Sequence, residues 1–391
     1  MFEAYRGKRV FVTGHTGFKG SWLCEMLLMA GAEVYGYALK PPTKPSLFVQ
    51  LKLAKRIKSH VIGDVRDLKA LTAAVKAAKP DFVFHLAAQP LVRESYRTPV
   101  ETFETNVMGT VNVLEAVRRA FLSTNFTNYT NSKGRGLSCN SWTEKGSPDC
   151  SVICITTDKV YENDDKGKAF REDDPLGGSD PYSASKGACE IAIASYRRSF
   201  FSAADCSVKV ASARAGNVIG GGDWADDRIV PDAMRAFLSG KTLTIRNRKS
   251  TRPWQHVLEP LCGYLRLGEW LSTNCTNSKK ESIREIRGQE KDVTAFNFGP
   301  DEATVKTVGQ LVAELKRHFP KAKVKDLTDP KALKEAKLLR LDSTKAHKVL
   351  DWKSRWDFKR TIAATADWYK AVAEGMNQLD VTQSQIKEFF G

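Results

Sequence analysis

A glycine-rich turn near the start of the chain constrains the fold more than any other part of the sequence. Residues Arg9 to Thr13 form an apolar, β-branched run typical of a buried strand, and Ser21 to Ala30 are predicted to form a helix ending at Gly31. Between them, Gly14 to Gly20 has the spacing GxxGxxG. Glycines permit a tight turn, and a helix amino terminus offers unpaired N–H groups to a pyrophosphate. The segment therefore predicts a dinucleotide-binding βαβ unit.

The pattern of strands alternating with helices continues beyond this unit. Further strands are predicted at 34–39, 60–62, 82–86, 152–156 and 208–213, and further helices at 68–78, about 100–121 and 183–201. Strands separated by helices of this length build a parallel sheet covered on both faces. We therefore predict an α/β fold with a Rossmann-type doubly wound parallel sheet and a smaller C-terminal substrate-binding lobe.

Two polar segments interrupt the pattern, at about 123–149 and about 272–292. They lack hydrophobic periodicity and bury too little apolar surface to order themselves, so they are predicted to be insertions between elements. We expect an NAD-binding Rossmann domain over 1–215. We expect 216–391 to form mainly the substrate-binding lobe, with some chain returning to the Rossmann domain.

Composition limits the classes of function. The 391 residues are 42% hydrophobic and 27% charged, which excludes disordered and collagen-like chains. The net charge of +16 favours an anionic partner. A phosphorylated small molecule, nucleic acid and an anionic membrane surface are the three candidates. No apolar run is long enough to span a membrane. The eight cysteines form no CxxC pair and the six histidines have no metal-ligand spacing, so we expect reduced thiols, a cytoplasmic location and no metal.

A second motif lies in the helix predicted near 183–201. Tyr182 and Lys186 are four residues apart and so share one helix face. An ammonium beside a phenol favours the phenolate and lowers a pKa that starts near ~10. Such a tyrosine serves as a base toward a sugar hydroxyl near neutral pH. The pair alone is common on helix surfaces, but together with the glycine turn it predicts a redox site.

These two motifs resemble those of the extended short-chain dehydrogenase/reductase superfamily. Supporting segments occur in the expected order at Gly63–Val65, His85–Gln89, Asn106 and Asn217. The resemblance implies NAD as the cofactor, with Asp64 and Val65 at the adenine. The implied cofactor-binding residues are Gly14, Thr16, Gly17, Phe18, Lys19, Gly20, Asp64, Val65, Leu86, Ala87, Ala88, Gln89, Asn106, Tyr182 and Lys186.

The segment Thr156 to Tyr161 indicates a subfamily. Nucleotide-sugar 4,6-dehydratases have an acidic pair after a Ser or Thr, and Asp158 followed by Lys159 is similar to the enzymes that act on CDP-glucose. Long matches to those enzymes cover Gly14–Leu23, Gln89–Arg93, Ala213–Trp224 and Arg252–Pro260.

The resemblance implies a hydro-lyase that oxidises C4, eliminates water across C5 and C6, and returns the hydride to C6. Tyr182 would take the C4 hydroxyl proton, Lys159 the C5 proton, and Asp158 would help water to leave. Thr157 would hydrogen-bond the substrate beside the Tyr182/Lys186 pair. The implied catalytic residues are Thr157, Asp158, Lys159, Tyr182 and Lys186.

Cations are needed for the phosphates of such a substrate, and guanidinium groups bind phosphate in a bidentate manner. The residues implied for substrate binding are Gln89, Arg93, Asn217, Arg228, Arg246 and Arg252. They account for part of the basic charge without nucleic acid. We expect a homo-oligomer that acts on CDP-glucose and binds neither nucleic acid nor membrane.

Three questions stay open at this point. NAD enzymes usually place a carboxylate after strand two for the ribose, whereas this chain has Lys40, which tolerates a 2′-phosphate. The substrate of a dehydratase or epimerase could be another nucleotide sugar. A catalytically silent dinucleotide-binding regulator is the third alternative, although such a protein is expected to lose Tyr182, Lys186 or Asp158, all of which are present.

Overall fold

The structure is a computed structural model that describes residues 2–121, 149–163, 167–202, 206–274, 294–300, 304–327 and 339–391. The predicted insertion at 123–149 lies outside the described residues apart from its last position. The insertion at 272–292 lies outside them from residue 275 onward. Residues 272–274 still belong to a helix, so that segment begins later than predicted.

Strands and helices alternate along the first half of the chain. The strands are β1 (Arg9–Thr13), β2 (Glu33–Ala38), β3 (Ser59–Ile62), β4 (Phe82–His85), β5 (Cys150–Ile155), β6 (Ala169–Phe170), β7 (Val208–Ala215), β8 (Val218–Ile219), β9 (Thr242–Ile245), β10 (Thr251–Pro253), β11 (Gln255–His256), β12 (Ala295–Phe298), β13 (Val305–Thr307), β14 (Lys323–Asp326) and β15 (Arg340–Leu341). The helices are α1 (Phe18–Met29), α2 (Leu47–Gln50), α3 (Leu68–Ala78), α4 (Val92–Arg97), α5 (Pro99–Phe103), α6 (Gly109–Phe121), α7 (Pro181–Phe200), α8 (Ile229–Leu238), α9 (Leu258–Asn274), α10 (Val308–His318), α11 (Thr344–Leu350), α12 (Phe358–Ala373) and α13 (Gln378–Phe390). A π-helical segment (Glu104–Met108) joins α5 to α6, and a 3-10 turn (Asp158–Val160) follows β5.

Seven strands form the central sheet, in the order β12-β7-β5-β4-β1-β2-β3. Every neighbouring pair in this sheet is parallel. The order reverses between β1 and β4, and ligands of open α/β sheets bind at the carboxyl ends of the strands beside such a reversal. The predicted doubly wound parallel sheet is confirmed, and its topology fixes where a ligand site is expected.

Helices bury both faces of this sheet. Val10 and Val12 of β1 belong to one apolar cluster, which includes Leu23 of α1 and Leu265 of α9. Phe11 points to the other face, where its cluster includes residues of α3, α6 and α7. Burial on both faces explains why the strands are continuous apolar runs in the sequence.

The later part of the chain contributes to the same body as the first part. Strand β12 extends the main sheet beside β7, with Ala295 paired to Ser212. Near the carboxyl end, Gln383 of α13 donates a 2.8 Å hydrogen bond to Glu25 of α1. The division into domains at residues 215 and 216 stays a prediction.

A buried ionic network ties α7 to the strands beneath it. Glu190 accepts hydrogen bonds from Arg214 at 2.8 Å, Ser212 at 2.7 Å and Thr156 at 2.5 Å. Both side chains of the Glu190–Arg214 pair are only 4% exposed. Burial acts to raise the pKa of Glu190, but Arg214 and the two hydroxyls outweigh it and hold that pKa below its usual value. The carboxylate is therefore ionised and paired in the folded protein.

The substitution Glu190→Gln should destabilise the fold by about 3–5 kcal/mol, because it leaves Arg214 buried without its counter-ion. Denaturant unfolding at neutral pH measures this. The matched control Glu3→Gln breaks an exposed pair with Arg6 and should change stability by less than about 0.5 kcal/mol. Because the folded pKa of Glu190 is depressed, its contribution is present above the unfolded pKa and is lost as pH falls through the folded value. A Glu190→Gln protein as stable as wild type at pH 7 contradicts this account.

Candidate active site

The glycine turn connects β1 to α1 at the reversal of strand order. Gly14 has a φ of +75°, and its N–H donates to Tyr37 in the adjacent strand at 3.0 Å. Helix α1 begins at Phe18, three residues earlier than predicted, so Lys19 and Gly20 lie in its first turn. The amino terminus of α1 is therefore formed by the glycine segment itself.

The glycines of this turn have different steric surroundings. A Cβ atom on Gly20 would lie 2.2 Å from the carbonyl oxygen of Gly14, and one on Gly14 would lie 2.7 Å from the nitrogen of Ala87. A Cβ on Gly17 would have its nearest contact at 3.4 Å. Gly14 and Gly20 thus permit close packing of the backbone, whereas Gly17 leaves the amino terminus of α1 open. This arrangement fits the pyrophosphate of a dinucleotide.

The residues directly after β2, where NAD enzymes usually have a carboxylate for the ribose, include none here. Thr16 binds the carbonyl of Leu39 at 2.9 Å, and Lys40 is exposed. Asp64, expected at the adenine, forms a 2.7 Å ion pair with Arg66, and that hydrogen-bonded arginine holds the pKa of Asp64 below its usual value. Its neighbour Val65 is buried. The Asp64 carboxylate therefore faces a guanidinium in this structure.

The loop after β4, which includes Leu86, Ala87, Ala88 and Gln89, is held by Asn106. The Asn106 side chain accepts from the Gln89 N–H at 2.8 Å and donates to the Ser185 hydroxyl at 2.9 Å. The side-chain amide of Gln89 donates to Leu91 and Thr102 at 3.1 and 2.9 Å and accepts from the N–H of Leu91. Gln89 thus uses its side chain to order the loop. Asn106 lies in the π-helical segment, which turns its amide toward both the loop and α7.

The acid and the lysine predicted for elimination lie in the 3-10 turn after β5. Thr157 caps this turn and donates to one oxygen of Asp158 at 2.9 Å. The other oxygen, Oδ2, is buried without a hydrogen-bond partner among the described residues. A Cβ on Gly216 would lie 2.9 Å from that oxygen, so the loop that contains Asn217 borders the carboxylate. Lys159 follows and is half-buried.

Helix α7 places Tyr182 and Lys186 against this turn. Its amino terminus is capped by Asp180, and the backbone N–H of Tyr182 donates to Ser95 at 3.1 Å. Lys186 is buried, and its ammonium donates to the carbonyl of Ile155 at the end of β5, at 3.3 Å. Tyr182 is also buried, and Thr157 and Asp158 of the turn both act on the pKa of its phenol. The predicted catalytic residues are thus brought together at the carboxyl end of β5.

The expected lowering of the Tyr182 pKa is wrong for the ligand-free protein. Burial, as the largest effect, raises the pKa of Tyr182 to about 12, although Thr157 and Arg228 act to lower it. Burial also lowers the pKa of Lys186. The prediction failed because helical spacing gives the proximity of two groups but not how deeply each is buried.

Lys19 was predicted as part of the cofactor turn, but its side chain extends toward these catalytic groups. Its ammonium is 3.5 Å from the hydroxyl of Tyr264, a buried residue of α9. Burial lowers the pKa of Lys19 to about 8, with further lowering by Arg228 and Lys186 and a raising effect of Asp158. Tyr264 was not predicted from the sequence, since a tyrosine within an apolar helix has the pattern of a core residue.

Three of the predicted arginines meet around one short loop. Asp227 accepts from Arg246 at 2.6 Å and is 3.7 Å from Arg93. The hydrogen bond from Arg246 holds the pKa of Asp227 below its usual value. Arg228 is the amino-terminal cap residue of α8 and forms a 3.1 Å ion pair with Asp223. No sequence signal pointed to Asp227, whose backbone φ is +60°.

The fourth arginine has different surroundings. Arg252 is buried in β10, where it donates to the carbonyl of Thr251 at 2.8 Å. Its neighbour Pro253 also borders Gly216, at 3.6 Å from a Cβ placed there. Strand β10 thus borders the Gly216 loop beside Asp158 through Pro253, whereas the other three arginines pair with Asp223 and Asp227.

Comparison with known proteins decides the family. The family model described as GDP-mannose 4,6 dehydratase matches residues 11–365. The chain belongs to the GDP-mannose 4,6-dehydratase family. A CDP-glucose 4,6-dehydratase of Salmonella typhimurium is 42% identical over 388 residues, which cover 98% of this chain and 97% of the relative. A dTDP-glucose 4,6-dehydratase of Xanthomonas campestris is 24% identical, with 92% of each chain covered. The resemblance to nucleotide-sugar 4,6-dehydratases is confirmed.

Solved structures of this family and its neighbours share the fold. A dTDP-glucose 4,6-dehydratase from Bacillus anthracis in complex with NAD superposes with a TM-score of 0.66 at 20% identity and covers 95% of this chain and 99% of its own. A UDP-glucose 4-epimerase from Thermotoga maritima with UDP-glucose gives 0.69 at 20% identity and covers 93% and 99%. Among the described residues of this dehydratase, no group of His, Cys, Asp or Glu is arranged to hold a metal. No helix in the described ranges is long and apolar enough to cross a membrane.

Gly17→Ala and Gly20→Ala should affect different properties, although they make the same chemical change in one turn. Gly20→Ala should lower the melting temperature of the ligand-free protein, because the new methyl group overlaps the backbone of Gly14. Gly17→Ala should fold normally but bind NAD about 10-fold or more weakly, since its methyl group occupies the open end of α1. Thermal unfolding and calorimetric titration of NAD measure the two effects. Unchanged NAD affinity in Gly17→Ala would place the pyrophosphate elsewhere.

Proposed function

We propose that this enzyme converts CDP-D-glucose and releases CDP-4-keto-6-deoxy-D-glucose and water. The observation that supports this most directly is the position of Asp158, which acts on Tyr182 and shares a 3-10 turn with Lys159. A 4-epimerase needs the tyrosine and lysine of α7 but not an additional acid and base. The identity of 42% over almost the whole length to a CDP-glucose 4,6-dehydratase supports CDP-glucose as the substrate.

The cofactor of the reaction is NAD, which when bound accepts the hydride of C4 and later returns it to C6. The residues proposed to hold its pyrophosphate are Gly14, Gly17 and Gly20, at the open amino terminus of α1. The loop after β4 and the β3 end around Asp64 and Val65 border the remainder of that crevice.

The proposed first step is oxidation at C4, in which Tyr182 removes the hydroxyl proton. With a pKa raised by burial, the phenol is neutral in the ligand-free protein, so the step depends on positive charge nearby. Lys186 is fixed one helical turn away through its bond to Ile155, and Arg228 also acts to lower the pKa of Tyr182. Both cations stabilise the phenolate as the proton is taken from the sugar.

The proposed second step is elimination of water across C5 and C6. The C4 ketone acidifies the C5 hydrogen, and the neutral amine of Lys159 takes that proton while the electron pair forms the C5–C6 double bond. Asp158 in its protonated form donates a proton to the leaving C6 hydroxyl, which departs as water. Oδ2 of Asp158, which has no hydrogen-bond partner among the described residues, is available for this donation, while Thr157 donates to the other oxygen. Addition of the hydride to C6 and of a proton to C5 then gives the product.

The substrate diphosphate is proposed to bind where Arg93, Arg228 and Arg246 meet. In the ligand-free protein Asp227 is the anion that neutralises Arg93 and Arg246. A diphosphate entering this site competes with Asp227 for the two guanidinium groups. Exposed ion pairs are weak, so this exchange costs little. Asn217 and the buried Arg252 complete the proposed set on the side of Asp158.

We also propose that the enzyme is a cytoplasmic homo-oligomer that binds no nucleic acid. The large exposed side chains of Val100, Met108 and Ile191, on α5, the π-helical segment and α7, support an interface between copies. Six described cysteines are buried free thiols, in keeping with a reducing compartment.

Incubation with a panel of CDP-, dTDP- and UDP-glucose and GDP-mannose tests the function. We expect efficient formation of the 4-keto-6-deoxy product from CDP-glucose, detected by NMR. Tyr182→Phe should bind CDP-glucose normally in calorimetry but turn it over about 10²–10⁴-fold more slowly, because the general base is missing. Faster conversion of another nucleotide sugar, or CDP-galactose as the product, contradicts the proposal, and wild-type turnover of Tyr182→Phe removes the tyrosine from the mechanism.

Separate loss of the two elimination groups should stop the reaction at different points. In D2O, Lys159→Ala should introduce no deuterium at C5, because the base is absent. Asp158→Asn should permit exchange at C5 but release water slowly, since the acid is absent. Mass spectrometry and NMR of recovered sugar distinguish the two. The control Lys168→Ala removes an exposed lysine paired with Asp174 and should behave as wild type. Wild-type dehydration by both site variants would place the elimination chemistry elsewhere.

A further inference from the structure

The side chain of Lys19 leaves the glycine turn and reaches the opposite wall of the cleft. Its backbone lies in the first turn of α1, whereas its ammonium lies against Tyr264 of α9, 3.5 Å from the hydroxyl and 5.8 Å from the ring centroid. The lysine is partly exposed, as expected for a side chain that lines an open cleft, while Tyr264 is buried. Lys19 therefore presents a charge between the cofactor turn and the substrate-binding helices.

The charges around Lys19 leave a net positive site. Arg228 and Lys186 are the cations that act on it most strongly, and Asp158 is the acidic group that does so. The protonated Asp158 that the elimination step requires would leave the site more positive still. Arg228 is paired with Asp223, but no carboxylate in the described ranges forms an ion pair with Lys19, and its hydrogen-bond partner there is the neutral phenol of Tyr264. Cations gathered in a cleft repel one another unless an anion joins them. The arrangement is that of an anion site.

The neighbours also indicate which part of a ligand meets the ammonium. Arg228 belongs to the arginines proposed for the diphosphate, whereas Lys186 and Asp158 belong to the groups proposed for the sugar. All three groups affect the pKa of Lys19. Its ammonium also lies 3.5 Å from the hydroxyl of Tyr264, whose own pKa is raised by burial and by Tyr182 and Asp158. These neighbours favour a position between the sugar and the diphosphate. We infer that Lys19 binds the phosphate that bears the glucose and is thus a substrate-binding residue as well as part of the cofactor turn.

This inference rests on the proposed function, because it assigns the charge of Lys19 to the nucleotide sugar. The pyrophosphate of the cofactor is the other possible source of a phosphate here. It is expected at the backbone N–H groups of α1, whereas the ammonium of Lys19 is held away from that backbone by Tyr264. Binding measurements with each ligand separate the two phosphates.

The protonation of Lys19 gives the site a signature in pH. With a pKa of about 8 in the ligand-free protein, the ammonium loses its proton as pH rises through that value. Affinity for CDP-glucose should therefore fall above pH 8, since both phosphates of CDP-glucose are esterified and keep their charge. The charged groups that face the ammonium are Arg228, Lys186 and Asp158, with the Tyr264 phenol beside it. Arginine in place of Lys19 stays charged and should remove this loss.

The test uses the full-length, NAD-loaded enzyme with Tyr182→Phe as background, so that CDP-glucose binds without rapid turnover. Lys19→Met should weaken the binding of CDP-glucose and of CDP about 10- to 100-fold, as expected for loss of a charge-assisted hydrogen bond. It should weaken the binding of CMP by less than about 3-fold. Lys19→Arg should retain most of the affinity for CDP-glucose. Tyr264→Phe should lose less of that affinity than Lys19→Met does. The control Lys8→Met removes an exposed lysine and should change nothing. Calorimetry gives these affinities, and a separate titration of the same variants prepared without cofactor gives that for NAD.

Three binding results would overturn the inference. Unchanged CDP-glucose affinity in Lys19→Met, or a loss confined to NAD, overturns the inference. An equal loss for CMP and CDP also overturns it, because the effect would not depend on the second phosphate. These results leave the proposed function intact as long as wild type converts CDP-glucose. A wild-type protein that neither binds nor converts CDP-glucose contradicts both.

Discussion

The contact between α7 and the carboxyl end of β5 determines the geometry of the catalytic groups. Glu190 joins α7 to Thr156 and Arg214, and one turn earlier Lys186 donates to the carbonyl of Ile155. The 3-10 turn that contains Asp158 begins directly after these fixed residues. Tyrosine, lysine and carboxylate, although they come from two elements, are therefore held in one arrangement. Preorganisation of this kind is what a sequence of proton transfers requires.

The same burial that fixes these groups makes their charges interdependent. Tyr182 is harder to ionise than in water, and Lys19 and Lys186 are easier to deprotonate. A bound anion reverses part of this balance, since it favours the charged form of each lysine. Anionic ligands would thus complete the electrostatics of a cleft in which Lys19, Lys186 and Arg228 lie close enough to affect one another.

The parts of the fold and of the site that depend on short stretches of sequence were predictable. The GxxGxxG turn and the spacing of Tyr182 and Lys186 follow from backbone geometry alone, and the strand pattern predicted the sheet. Tertiary packing decided the rest. The pKa of Tyr182 depends on burial, the side chain of Gln89 on bonds to Leu91 and Thr102, and the role of Tyr264 on how α9 crosses α1. None of these has a periodic signature in the chain.

The proposed reaction moves one hydrogen within the substrate from C4 to C6, which neither an epimerase nor a simple dehydrogenase does. CDP-glucose labelled with deuterium at C4 tests this directly, with NMR and mass spectrometry of the product. We expect CDP-4-keto-6-deoxyglucose with the deuterium at C6. Deuterium retained at C4, or lost to solvent, would contradict it.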